Sequence, residues 1–160
     1  MTLTTDRESP LGSDLDLLFQ RHAAAMQADT PPESIHMLPR ADLDDPAIAF
    51  FVIRDQGQPV AMGALKNLGG GHGELKSMHV LAEQRGRGLS RMLLRHLIAH
   101  ARSHTLDRLS LETGVQPGFA AARGLYVSEG FSECPPFGAY RADPNSVFMT
   151  LSMVRDEQLL

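Results

Sequence analysis

A single cysteine, Cys134, leaves the chain unable to form an internal disulfide. Disulfide-stapled secreted folds are thereby excluded, and stability has to come from a buried core. The N-terminus, MTLTTDRESP, lacks the apolar run of a secretory signal, and no later stretch approaches the apolar length that crosses a bilayer. A reducing cytoplasm is the expected location, with no membrane partner. Basic residues are scarce too: fifteen Lys and Arg stand against nineteen Asp and Glu, a formal net charge of -4. The chain therefore has no overall footprint for nucleic acid, and any basic site must be local. Two nucleotide motifs are also missing. No GxxxxGK[ST] occurs, and reading Gly86-Arg87-Gly88 as GxGxxG puts Arg91 where the third glycine belongs. There is no internal repeat.

What is present fits one folded unit. With 160 residues, 42% hydrophobic and 21% charged, the chain is expected to form a single domain over residues 1–160. Ser13 followed by Leu15, Leu18, Phe19, His22 and Met26 predicts a helix to about Gln27. Pro31 and Pro32 predict a second, short helix through PPESIHML, stopped by Pro39, and residues 40–46 read as loop. AIAFFVIR and PVAMGALK, joined by DQGQ, predict a hairpin of buried strands. LGGGHG reads as a loose connection to a third strand, ELKSMHV. The stripe Leu89, Leu93, Leu94, Leu97, Ile98 and Ala101 predicts a helix from about Gly88 to His104. RLSLET is expected as a strand, PGFAAARGLYVSE as a helix, FSECPP as the start of a strand and SVFMTLSM as the last strand. An antiparallel start followed by helix crossovers implies a mixed α/β sheet, of α+β character, with at least one parallel pair flanking the Gly88 helix.

The run QRGRGLSRMLL, from Gln84 to Leu94, concentrates the chemistry. A strand that enters a glycine-rich turn and then a helix presents unpaired backbone N-H groups at the positive end of the helix dipole, which is a site for anions. Gly86 and Gly88 let a phosphate approach the main chain, and Arg85 and Arg87 add charge. The bland alternative is a strand-to-helix turn with arginines in solvent.

ELKSMHVLAEQRGRGLSRMLL, followed by LSLETG and AARGLYVSEGF, resembles the GNAT superfamily of acetyl-CoA-dependent N-acyltransferases, whose phosphate turn reads [QR]xxGx[GA]. Arg85, Gly88 and Ser90 occupy that pattern, with Ser90 departing from the usual Gly or Ala, and the likeness spans roughly Ala47 to Met153. The resemblance implies a mostly antiparallel sheet with a splayed parallel pair, flanked by helices. It implies that backbone groups of Arg85, Gly86, Arg87, Gly88, Leu89 and Ser90 cradle the pyrophosphate of coenzyme A. The pantetheine arm would pair with the strand near Met78 and Val80, and the acetyl carbonyl would lie by the backbone of Met78 and His79. Acetyl-CoA is then the acyl-donor co-substrate, with no metal, and the partners are a small-molecule or amino-acid-like amine acceptor and, as is common in the family, a second copy of the chain. A non-catalytic acyl-CoA sensor or docking module of the same fold is the alternative.

Acyl transfer needs a neutral amine, yet an amine with pKa near 10 is neutral only about one part in a thousand at pH 7. Glu74 matches the position of a glutamate base in histone-modifying relatives; its alternative is a strand-end carboxylate paired with Lys76, and Glu112 is the competing carboxylate. Tyr126, in GLYVSEGF, matches the tyrosine that protonates the leaving thiolate, against a packing tyrosine. The family's Asn near this helix is replaced by Phe119. In CPPFGAYRADPNSVFM, Tyr140 and Arg141 are candidates to hold a substrate carboxylate from a loop over the cleft, with PPESIHM as the opposite wall. Cys134 has no nucleophile pattern around it. His96, His100 and His104 fall at metal-chelating spacing but lack a carboxylate or thiolate, and Arg87, Arg91 and Arg95 form a basic stripe that reads either as a solvated face or as contact with the adenosine 3'-phosphate.

Overall fold

The computed structural model describes residues 2–153. Seven strands form one sheet: β1 (Leu3–Arg7), β2 (Ile48–Asp55), β3 (Gln58–Gly69), β4 (His72–Val80), β5 (Arg108–Gly114), β6 (Ser132–Glu133) and β7 (Ser146–Ser152). Their order is β1-β2-β3-β4-β5-β7-β6. Every neighbouring pair is antiparallel except β4 and β5, which run parallel because α2 (Leu89–Ser103) crosses between them. This is the expected mixed sheet with a flanked parallel pair.

Alternation along β2 explains its unbroken apolar run. Ala49, Phe51 and Ile53 face one side, where they meet Leu89, Leu93, Leu94 and Leu97 of α2 together with Leu109 and Leu111. Ile48, Phe50 and Val52 face the other, where they meet Leu15 and Leu43 as well as Leu18 of α1 (Asp16–Asp29). A strand buried on both faces needs no polar residue at alternate positions. The third helix, α3 (Ala120–Ser128), contributes Tyr126 to the α2 side.

Helix α2 lies tightly on β3 at Gly63. A Cβ there would stand 2.5 Å from Met78 Sδ and 3.1 Å from Leu93 Cδ2. Gly63→Ala is therefore expected to lower stability by about 1–3 kcal/mol, the usual cost of overpacking, read as a shift in urea midpoint at unchanged slope.

Several expectations are corrected. The N-terminal LTTDR forms edge strand β1, paired with β2 from Leu3↔Asp55 to Arg7↔Phe51, although its polar composition gave no strand signal. PPESIHML is not a helix: only Pro32–Ser34 makes a 3-10 turn, and Ile35 is already extended. Arg40–Leu43, read as loop, is another 3-10 turn. The first helix opens with a 3-10 turn at Ser13–Leu15, and Gly12, not Ser13, precedes it. LGGGHG is no loose connection, since β3 and β4 run into it and pair to Gly69↔His72. FSECPP contributes two paired residues, because Pro135 and Pro136 supply no N-H for a ladder.

Candidate active site

The chemistry-bearing residues gather where β4 and β5 part. Their pairing covers only His72↔Arg108, Gly73↔Leu109 and Glu74↔Ser110. Beyond it, β4 stays with β3 as far as Val80, and β5 stays with β7 as far as Gly114. A bulge drives the divergence: Met62 pairs with His79 and Ala64 with Lys76, so Ser77 and Met78 together oppose Gly63, and Ser77 takes φ 55. An extra residue in one strand bends it and tightens its twist. The β5-facing edge of β4 is thus left without a strand partner after Glu74.

Two connected cavities fill the fork, one of about 520 Å³ and one of about 130 Å³. His22, Met26, Met78, Phe119, Ala122 and Tyr126 line both, which marks the junction. Leu18, His22 and Met26 share one face of α1; its first part is buried in the core, and its second part roofs the cavities.

The larger cavity runs from Met78, His79 and Val80 to the turn of Arg85, Gly86, Gly88, Leu89 and Ser90. Gly86 (φ 83) and Gly88 (φ 77) are left-handed, and a Cβ built on either would meet nothing within 4 Å. Gly is used there for backbone conformation, and the bare main chain faces open space. The first helical bond of α2 runs from Met92 N to Gly88 O, so the amides of Leu89, Ser90 and Arg91 have no partner within the helix. No acidic side chain occupies that first turn. The arginines divide. Arg85 is exposed and lines the cavity, whereas Arg87 is turned to Asp55 at 2.9 Å and contributes to the turn through its backbone. Arg91 lines the cavity while contacting Ser128 and Glu129 at 3.1 Å, and Arg95 joins the same Glu129 at 2.6 Å. The stripe is a pair of arginines on one carboxylate, with Arg87 apart from it.

The smaller cavity contains Glu74, 5% exposed. Its Oε2 accepts hydrogen bonds from Tyr140 Oη at 2.6 Å and Lys76 Nζ at 3.1 Å, and Lys76 also donates to Tyr140 Oη at 3.0 Å. Burial, then the hydrogen bond to Glu74, holds the Tyr140 phenol well above its ordinary range. Tyr140 is held over the site by packing against His36, Phe137 and Phe148 and by a loop pinned through Asp143 to Ser34 at 2.7 Å. Glu112 lines the same cavity; burial raises its carboxyl, while Ser146, His36 and Lys76 act in the opposite direction. Tyr126 is 7% exposed, and burial pushes its phenol up to about 12. Arg141 is exposed and lines neither cavity, so the structure does not bring it to Tyr140's side of the site.

Sequence reasoning passed over His22 and Thr30, which line the smaller cavity, whereas Ser34, His36 and Met37 of PPESIHM line it as the expected opposite wall. The spacing of His22 with Leu18 and Met26 was the available signal: it turns a polar ring inward. His22 is buried with its ring 5.4 Å from that of His79, and burial, then His79, lowers its imidazole to about 4. Because a free histidine protonates near 6.5, the unfolded chain gains a proton that folded His22 refuses. The His22 contribution to stability is therefore complete above pH 6.5 and is lost as pH falls towards about 4, by at most about 3 kcal/mol. Urea melts at neutral and acid pH should show that this increment disappears in His22→Gln.

His96 and His100 pack edge-on against Phe51, with centroids at 4.9 and 5.1 Å, and His104 stacks on His100. Among the described residues no group of three or more His, Cys, Asp or Glu side chains is placed to hold a metal. Nor is any described helix long and apolar enough to cross a membrane.

The sheet is thus forked, with an amide-rich turn at one end and the carboxylates of Glu74 and Glu112 at the other. Residues 15–131 match the acetyltransferase (GNAT) family, and the chain belongs to that family. It is 41% identical over 142 residues to the uncharacterised N-acetyltransferase YedL of Escherichia coli (strain K12), covering 89% of each chain. It is 38% identical over 148 residues to the IAA acetyltransferase of Azospirillum brasilense, covering 92% of this chain and 95% of that one. Among solved structures, a candidate acyl-CoA N-acyltransferase from Klebsiella pneumoniae superposes with TM-score 0.79 at 28% identity, covering 96% of this chain and 99% of the other.

Proposed function

We propose that the protein transfers an acetyl group from acetyl-CoA to the amine of a small molecule, by direct attack within one ternary complex. The observation that carries this reading is the fork itself: the groove leading from the Gly86–Gly88 turn meets the cavity of Glu74 at a junction lined by Met78 and Tyr126. An extended thioester laid along it would have its pyrophosphate on the amides of residues 85–90 and its amide-bearing arm on the open edge of β4.

Glu74 takes the proton of the ammonium, directly or through water, and the freed nitrogen lone pair forms a bond to the thioester carbonyl carbon. Backbone N-H groups at Met78 and His79 hydrogen-bond the oxygen as it gains negative charge. The carbon-sulfur bond then breaks, its electron pair stays on sulfur, and Tyr126 delivers a proton to the thiolate; the second proton, shed by nitrogen as it becomes an amide, returns through water to the phenolate, and the proton on Glu74 leaves to solvent. No step requires a metal. In this reading residues 1–160 work as a single catalytic domain in the cytoplasm.

The test is release of coenzyme A thiol from acetyl-CoA across an amine panel, beside calorimetric binding of acetyl-CoA. Binding with amine-dependent thiol release is expected, and Gly88→Val should weaken binding by about tenfold or more by putting a side chain in the turn. Binding without release for any amine would move the protein to the class of acyl-CoA sensors, and no binding at all would remove both readings.

A further inference from the structure

The smaller cavity has a charge balance that bears on the acceptor. Its ionisable lining groups are Glu74, Lys76, Glu112, His22 and His36, besides the phenols of Tyr126 and Tyr140, which burial keeps protonated. Lys76 is committed to Glu74 and to Tyr140, so those two charges compensate one another. Glu112 has no ion pair among the described residues; burial raises its carboxyl, against a hydrogen bond from Ser146 and the nearby charges of His36 and Lys76. The cations that follow in the chain do not supply one. Arg123 donates to the carbonyls of Gly114 and Gln116 at 2.6 and 3.2 Å, and Arg141 lies outside the cavity. Burial keeps His22 neutral at physiological pH. Setting the imidazole of His36 aside, the cavity holds two carboxylates, of which only Glu74 is ion-paired to the one ammonium.

An independent observation concerns neutral polar atoms. Thr30 is only 7% exposed, and its Oγ1 has no hydrogen-bond partner; His36 Nε2, also buried, has none either. Both residues line the same cavity. Buried polar groups are ordinarily paired, so two orphans beside an under-compensated carboxylate describe a space that a polar molecule completes. Its volume, about 130 Å³, is close to that of cavities of about 150 Å³ that admit a benzene-sized guest.

We propose that the acceptor is a small primary amine bearing no carboxylate, whose ammonium is held by Glu112 beside Glu74 and whose neutral polar group meets Thr30 and His36. The inference rests on the acetyl-transfer reading and narrows it. An α-amino acid would bring a third carboxylate into a cavity whose one lysine is already paired, and a buried charge without a partner is disfavoured. An amine alone brings only the positive charge that faces Glu112.

Matched pairs that differ by one carboxylate give the test: ethanolamine with serine, isobutylamine with valine, histamine with histidine. Each is titrated calorimetrically into the full chain saturated with coenzyme A, and each is assayed separately for thiol release from acetyl-CoA. The amine of a pair is expected to bind about tenfold or more tightly than its amino acid, a lower bound for one uncompensated buried charge. Glu112→Gln should bring that ratio close to one, an effect that a purely structural role for Glu112 would not produce. Amino acids binding as tightly as amines would overturn the proposal, as would a ratio unchanged in a folded Glu112→Gln protein or the failure of every amine to bind. Should that variant not fold, the wild-type ratio decides alone. Selective amine binding without thiol release would leave this assignment standing and remove the acetyl-transfer reading instead.

Discussion

Replacing Glu74 by glutamine is expected to lower kcat for thiol release by about 10²–10⁴-fold, the range that a positioned general base contributes, with little change in acetyl-CoA affinity. Glutamine preserves size and an acceptor oxygen for Tyr140, but it takes no proton at neutral pH. The geometry leaves Oε2 occupied by Tyr140 and Lys76, and Oε1 makes no hydrogen bond among the described residues. A structural contribution has to be separated from the chemical one, because Glu74→Gln also leaves the ammonium of Lys76, 11% exposed at its side chain, without its charge partner. Breaking a buried pair at one end costs about 3–5 kcal/mol, whereas replacing both ends is far gentler. The double variant Glu74→Gln/Lys76→Met should therefore recover stability, and kcat should remain low. Recovery of kcat along with stability would mean that Glu74 is a structural anion and that Glu112 is the carboxylate to test next.

Tyr126→Phe is expected to lower kcat by about 10²-fold while leaving the binding of acetyl-CoA and of the acceptor near wild type. The phenol is buried within the apolar cluster beside Phe131, at 5.7 Å between centroids, so removal of one oxygen leaves the packing in place. With its pKa pushed up to about 12 by burial, the group stays protonated at neutral pH, as a donor must. Consequently the pH-rate profile should have no alkaline limb from this tyrosine below about pH 11. An unchanged kcat in the Phe variant would return Tyr126 to packing alone.

The legible part of the protein is the part whose physics is local in sequence. Apolar spacing placed α2, because Leu89, Leu93, Leu94 and Leu97 must share a face. The glycines at 86 and 88 marked the turn, since few other residues tolerate a left-handed backbone there. Strand β1 escaped notice because LTTDR lies at an edge, where pairing with β2 supplies the stabilisation and its own burial is slight. PPESIHML has helical punctuation, yet Ile35 is extended, and Ser34 is tied to Asp143, 109 residues away. The assignments of Tyr140 and Arg141 parted for the same reason. Side by side in sequence, one reaches Glu74 and the other faces solvent.

By itself, the sequence determined the order of strands and helices over most of the chain, the glycine-rich turn ahead of α2 and the family, since each is written in spacing over a few residues. Only the tertiary structure decided that Arg87 answers Asp55, that Lys76 is spent on Glu74 and Tyr140, and that His22 and Thr30 line the smaller cavity. Charge compensation and burial depend on which distant side chains meet across a bulged, diverging pair of strands, and no periodicity encodes those meetings.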